Sequence, residues 1–282
     1  MKPSNIDALF LLQNNTPLED FCGLTPNEVH QLLYYPFADK SPLRFRNDIA
    51  DDVLENIPFF RIAEEFLKLI QRDKQIKLTP LGALPKKVMV EIYDHKFLLD
   101  EMIESGIVKL WKEQDCISIM VARLVVDLAG LIKKSTGKLF LTKEGTRLLK
   151  PENRLQLFKE IFKAHSTDFN WGYCDGYPQR PIGQLGFGFS LYLLDQFGEQ
   201  LQSASFYVEK YMKAFPQLLE FFPDQQFSSG KRLFERCYRL RTIDRFLEWY
   251  GFVTVERIRK ISDDDNYNVK RNNLFRQVFL FE

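Results

Sequence analysis

The strongest constraint on this chain is a change of hydrophobic period near its C-terminal end. In "KRLFERCYRLRTIDRFLEWYG", residues 231–251, apolar side chains recur at helical spacing, with Leu233, Cys237, Leu240, Phe246, Leu247 and Tyr250 on or near one face. Gly251 stands where a helix commonly stops in a left-handed turn. The next stretch, "FVTVERIRKI", alternates apolar and polar residues as a half-buried strand does. A polar connection, "SDDDNYNVKRN", then leads to a second extended segment, "LFRQVFLF". The pattern predicts helix, strand, long turn and strand, with a turn longer than a tight hairpin uses.

A second constraint is an echo. "KLTPLGALPKK" (77–87) and "KLFLTKEGTRLLK" (138–150) both carry Leu-Thr-x-x-Gly, then Leu and a lysine. Before the first, "PFFRIAEEFLKLIQRD" begins with Pro58 and places Ile62, Phe66, Leu69 and Ile70 on one helical face. "KQIKL" reads as a short strand, Thr79 as a cap, and Pro85 as the opening of the next helix. Around the second, "DCISIMVARLVVDLAGLIKKSTG" reads as one long helix, "KLFL" as a strand and Thr142 as the cap of "KEGTRLLK". Phe66–Ile70 then aligns with Leu128–Ile132, which suggests a duplicated helix–strand–helix module. Neither copy is a phosphate-wrapping loop, because each has one glycine and no Gly-Lys-Ser/Thr end. The lysines are expected to stay in water.

These patterns predict a mainly α fold with short β-hairpins, made of tandem winged-helix-like helix–strand–helix units. An N-terminal helical segment covers residues 1–56, the duplicated units 57–167, and an aromatic loop with a C-terminal winged-helix-like domain 168–282. In the N-terminal segment, "GLTPNEVHQLLYYPF" places Thr25 as N-cap, Pro26 at the first helical position and Glu28 as the return of a capping box. The boundary at 168 rests on "DFNWGYCDGYPQRPIGQLGFGF", which is rich in glycine and proline.

"GLTPNEVHQLLYYPF", the two Leu-Thr-x-x-Gly units and "CYRLRTIDRFLEWYGFV" together resemble a family of uncharacterised bacterial proteins. The resemblance implies a bacterial, cytosolic, mainly helical protein. It carries no activity and no catalytic residue onto this chain.

Composition excludes several classes. With 45% hydrophobic residues the chain is too apolar for disorder, and its net charge of +1 is no global footprint of a nucleic-acid binder. Charge is uneven, at −5 over residues 1–60 and +4 over 231–282. Cys22, Cys116, Cys174 and Cys237 are widely spaced and form no C-x-x-C motif. His30, His95 and His165 are scattered, without H-E-x-x-H spacing. "SDDD" (262–265) lacks the spacing of a calcium loop, and "GQLGFGF" reverses the dinucleotide fingerprint. No metal or cofactor is expected. No leader-like start and no apolar run long enough to cross a membrane is present, so a cytoplasmic protein without a membrane partner is expected.

Two constellations remain. Trp171, Tyr173, Asp175, Tyr177 and Arg180 lie in the glycine-rich loop and are residue types that dominate binding hot spots. Arg232, Arg236 and Arg239 fall on one helical face, followed by Arg257, Arg259 and Lys260, as candidates for nucleic-acid contact. Glu235, Asp244, Glu248 and Glu256 interleave and offer these cations internal partners. The leading expectation is a non-catalytic interaction module that binds protein or nucleic acid. The alternatives are an enzyme with a dispersed polar site near the 168–189 loop, and a structural partner subunit. The oligomeric state is not readable.

Overall fold

The structure, a computed structural model, describes residues 10, 12–178, 180–258 and 266–282. It is mainly α-helical with small antiparallel sheets. In chain order the strands are β1 (Leu43–Phe45), β2 (Ile76–Lys77), β3 (Ile132–Ser135), β4 (Lys138–Leu141), β5 (Gln202–Ser203), β6 (Val253–Ile258), β7 (Asn266–Arg271) and β8 (Phe279–Phe281). The chain forms two compact units. A central unit holds residues 49–170 and 249–251, and a terminal unit holds 1–48, 171–248 and 252–282.

In the central unit, the helix Pro58–Asp73 has proline in its first turn and buries Phe59, Phe60, Ile62, Phe66, Leu69 and Ile70. After β2 come the helices Lys86–Tyr93 and Ile117–Leu128, then the hairpin β3–β4. The sheet order is β2-β4-β3, with Ile76 opposite Leu139 and Leu139 opposite Lys134. Thr142 caps the helix Lys143–Leu148, its Oγ1 accepting from the Gly145 amide at 2.9 Å. Thr79 closes a turn instead, accepting from the Ala83 amide at 3.1 Å.

The echo therefore does not extend to identical structure. Phe66–Ile70 is mid-helix, but the expected long helix through Gly137 ends at Leu128, and Ile132 begins a strand. Gly130 turns the chain at φ +69°, a conformation costly for any residue with a side chain. Thr136 and Gly137 then both adopt positive φ, 49° and 70°, as a two-residue hairpin requires. Propensity alone favoured continuing the helix, and pairing with β4 overrode it.

In the terminal unit, the capping box at Thr25 forms as expected, with Thr25 N donating to Glu28 Oε2 at 2.7 Å and Glu28 N to Thr25 Oγ1 at 3.3 Å. The helix Phe187–Phe197, β5 and the Ser203-capped helix Ala204–Ala214 follow. A helix capped by Ser229 begins at Gly230 and continues to Leu247. The sheet order is β5-β7-β6, and a separate pair joins β1 to β8, with Leu43 opposite Phe281. The second strand of the C-terminal hairpin lies earlier than the sequence pattern predicts. "NYNVKR" forms β7, burying Tyr267 and Val269, while "NLFRQV" forms a short helix that buries Phe275 and Val278. Two alternating buried positions suffice for a strand when β6 offers a six-residue ladder. Arg259, Lys260 and the "SDDD" segment lie outside the described residues.

Candidate functional site

The helix that starts at Gly230 is α-helical to Tyr238 and π-helical over Arg239–Leu247. Its wider turn is visible in the amide of Glu248, which donates to the Ile243 carbonyl at 2.8 Å. Arg241 lies on the face of the buried Phe234, Cys237 and Tyr238, and Thr242 and Ile243 are buried beside it, while Leu233 and Leu240, expected inside, are only half-buried.

Arg241 is the centre of this site. Its guanidinium pairs with Asp175 through Nε, and both side chains are fully buried. Its Nη1 donates to the Arg180 carbonyl at 2.6 Å and its Nη2 to the Pro178 carbonyl at 3.1 Å. Asp175 Oδ1 in turn accepts from the Tyr177 amide at 3.0 Å. The glycine-rich loop is thus bound to the helix through one arginine. An uncompensated buried charge costs several kcal/mol, roughly 3–5, so each member of the pair requires the other.

The loop candidates divide accordingly. Trp171 is buried, its ring 4.5 Å from that of Phe246. Tyr177 is half-buried, and burial moves its phenol upward in pKa. Tyr173 is exposed, although its carbonyl accepts from Arg245 at 3.5 Å. Arg180 is exposed, with its guanidinium 4.4 Å from the centre of the Phe221 ring. Gly183 sits at φ +78°, and a Cβ there would lie 2.2 Å from Thr242 Oγ1, so the loop approaches the helix as closely as glycine permits. Burial pushes the Cys237 thiol up to about 12, which keeps it protonated and unreactive at neutral pH.

The C-terminal cations are also engaged. Arg239 lies with its guanidinium 4.5 Å from the centre of the Tyr267 ring. Arg257 donates to Tyr267 Oη at 2.7 Å and forms ion pairs with Glu248 and Asp244. Burial pushes the Asp244 carboxyl up to about 6, against the opposing pull of Tyr267 and Arg257. Arg239 and Arg257 therefore meet at Tyr267, while Arg232 and Arg236 stand half-buried in the preceding α-helical stretch.

The histidines are dispersed. His165 lies in a π-helical turn of the central unit, packed against Phe59 at 4.6 Å between ring centres, with Nδ1 3.2 Å from Tyr250 Oη. Burial alone takes its pKa down to about 3, so the ring is neutral at physiological pH. Among the described residues, no group of His, Cys, Asp and Glu is arranged to hold a metal ion. No helix among them is long and apolar enough to cross a membrane.

Sequence reasoning missed Arg241, although it lies four residues after Cys237 on the same helical face, because an arginine there reads as a surface cation until its buried countercharge is placed. It also missed a cationic surface in the central unit. Residues 74–90 and 129–143 carry eight lysines and no acid, and the pairing of β2 with β4 brings the two stretches together. The absence of Asp and Glu from both was the available signal.

Residues 55–154 match the family model of the Y4jL N-terminal domain. No curated protein and no solved structure matches the chain. The match is to an uncharacterised domain and brings no activity with it. Both Leu-Thr-x-x-Gly units fall inside the matched residues, and "GLTPNEVHQLLYYPF" and "CYRLRTIDRFLEWYGFV" fall outside.

Proposed function

We propose that the protein is a non-catalytic nucleic-acid-binding module built from two winged-helix-like units. The carrying observation is an order of elements that occurs in both compact units. In the central unit it runs helix 58–73, β2, helix 86–93, helix 117–128, β3 and β4. In the terminal unit it runs helix 187–197, β5, helix 204–214, helix 230–247, β6 and β7. Each three-stranded sheet has its last strand between the other two, β2-β4-β3 and β5-β7-β6. A fold alone does not name a ligand. The charge of the β3–β4 hairpin does favour an anion, because Lys133, Lys134 and Lys138 line it. The loop once open to an enzymatic reading has its Asp175 carboxylate and backbone carbonyls occupied by Arg241.

The test is retardation of duplex DNA of unrelated sequences by the full chain at about 50 mM and about 200 mM salt, a range over which phosphate-dominated binding falls by orders of magnitude. Binding at the lower salt that weakens at the higher is expected. No retardation at the lower salt overturns the reading.

A second reading, docking of a protein, is favoured by the stretch between helices 86–93 and 117–128. There Leu99, Met102, Ile107 and Trp111 are all exposed, more apolar surface than a short connection ordinarily leaves in water. Concentration-dependent association in sedimentation, abolished by Ile107→Ser with Trp111→Ser, is the outcome that reading requires.

A further inference from the structure

The sheet of the central unit has a composition unlike the rest of the surface. Lys77 in β2 stands opposite Lys138 in β4, and Lys138 stands opposite Ser135 in β3. Lys133 and Lys134 are exposed on β3, Lys133 on the face that carries Lys77 and Lys138 and Lys134 on the opposite face. Lys134 reaches across toward the turn that follows β2, its Nζ 3.3 Å from where a Cβ on Gly82 would lie. Among the described residues, none of these four lysines has an ion-pair partner. Three of the acids flanking the two stretches are taken by other cations, while Asp127 is exposed. Arg72 holds Asp73 and Glu91, and Arg147 holds Glu144. Like charges set directly opposite in a sheet repel, so this arrangement costs stability unless an anion occupies it.

The neighbouring helix cannot serve as a groove reader. In helix Ile117–Leu128, Ser118 to Ala122, Val125 and Val126 are buried. Base stacking finds little support on the same surface. The Lys86 ammonium covers the face of the exposed Trp111 ring at 3.6 Å, the exposed His95 ring stacks on Phe97, and Phe140 of β4, opposite Lys133, is half-buried. What the sheet offers is chiefly flexible point charges. That suits a regular line of phosphates.

We infer that the β2-β4-β3 sheet seats the phosphate backbone of a DNA duplex through Lys77, Lys133 and Lys138, which share one face, with no helix entering a groove and no preference for sequence. This inference rests on the nucleic-acid reading above and adds its contact surface and mode. Three lysines neutralising three phosphates give a slope of about −2.7 in log affinity against log salt.

The experiment compares the full-length protein with two charge variants in fluorescence-anisotropy titrations of unrelated 20-base-pair DNA duplexes. One variant carries Lys77→Gln, Lys133→Gln and Lys138→Gln. The control carries Lys40→Gln and Lys270→Gln, both exposed and both outside the sheet. The inference expects the triple variant to lose at least tenfold in affinity and most of its salt slope, with the control unchanged. If the triple variant fails to fold by circular dichroism, Lys77→Gln with Lys133→Gln replaces it, with a slope reduced by about 1.8 as the expected result. Wild-type binding that the lysine variants leave untouched overturns the site but not the nucleic-acid reading. Absence of wild-type binding overturns both. A strong preference for one duplex sequence, or equally tight lysine-dependent binding to vesicles of anionic lipid, overturns the proposed mode.

Discussion

The two three-stranded sheets have the same strand order and differ in how far their cations are paired. In the terminal unit, β5-β7-β6 stands beside cations that are already engaged. Arg257 is held by Glu248, Asp244 and Tyr267, and Arg239 by the Tyr267 ring. In the central unit, β2-β4-β3 carries lysines that oppose one another and have no acidic partner among the described residues. The C-terminal stretch 231–282 carries a net +4, but the terminal unit as a whole carries −1 and the central unit +2. Pairing points the same way as the charge of the units. A cation bound to a carboxylate braces the fold, and a cation left in water remains available to a ligand.

The contrast can be broken most severely at the arginine that is wholly structural. Arg241→Leu leaves Asp175 buried and unpaired, and stability in urea unfolding should fall by about 3–5 kcal/mol. A loss below ~1 kcal/mol would mean that the loop does not depend on this pair.

The buried histidine of the central unit sets a pH test. Its folded pKa, about 3, lies below the ordinary imidazole value of 6.5, so the unfolded chain binds the proton more tightly in this window. The contribution to stability is complete above pH 6.5 and is lost as pH falls toward 3. At 1.36 kcal/mol per pH unit, the loss between pH 6.5 and pH 5 is about 2 kcal/mol. His165→Phe should remove that part of the pH dependence. Identical slopes for the two proteins between pH 5 and 6.5 would contradict the assignment. Asp244 acts in the opposite direction, since its raised pKa favours the folded state at lower pH, and its effect is shared by both proteins.

Smaller effects separate the sheets directly. Arg257→Gln should cost about 0.2–1 kcal/mol, because the pair is partly exposed and screened. Lys77→Glu should change stability in the other direction, gaining about 0.2–1 kcal/mol by placing opposite charges across the strands. A stabilised protein with weakened DNA binding is the result that most cleanly separates bracing charge from available charge. Destabilisation by Lys77→Glu would show that the lysine repulsion is negligible.

Much of the local architecture was legible beforehand. Thr25, Pro26 and Glu28 announced a capping box, Pro58 a helix start, Thr142 a cap and Gly251 a helix end. Each reports on backbone groups within a few residues, where amino-acid type and geometry are tightly coupled. The loop with Trp171, Tyr173, Asp175, Tyr177 and Arg180 was also visible as a special stretch. Its direction of engagement was not. Asp175 reads equally well as a surface acid or a buried partner until Arg241 is placed beside it.

The same limit applies to the echo of Leu-Thr-x-x-Gly. Residue type was enough to establish the threonine turns, the glycine stops and the helical faces, because those depend on short-range sterics and hydrogen bonding. Three things came from tertiary structure alone. Leu131 and Ile132 left the helix because β4 was present to pair with their segment. Arg241 is buried because Asp175, from the distant glycine-rich loop, is brought beside it. Two lysine-bearing stretches about sixty residues apart became one surface because β2 and β4 share hydrogen bonds. Local preference amounts to a fraction of a kcal/mol per residue, while a strand partner or a buried countercharge contributes several and is supplied by distant parts of the chain.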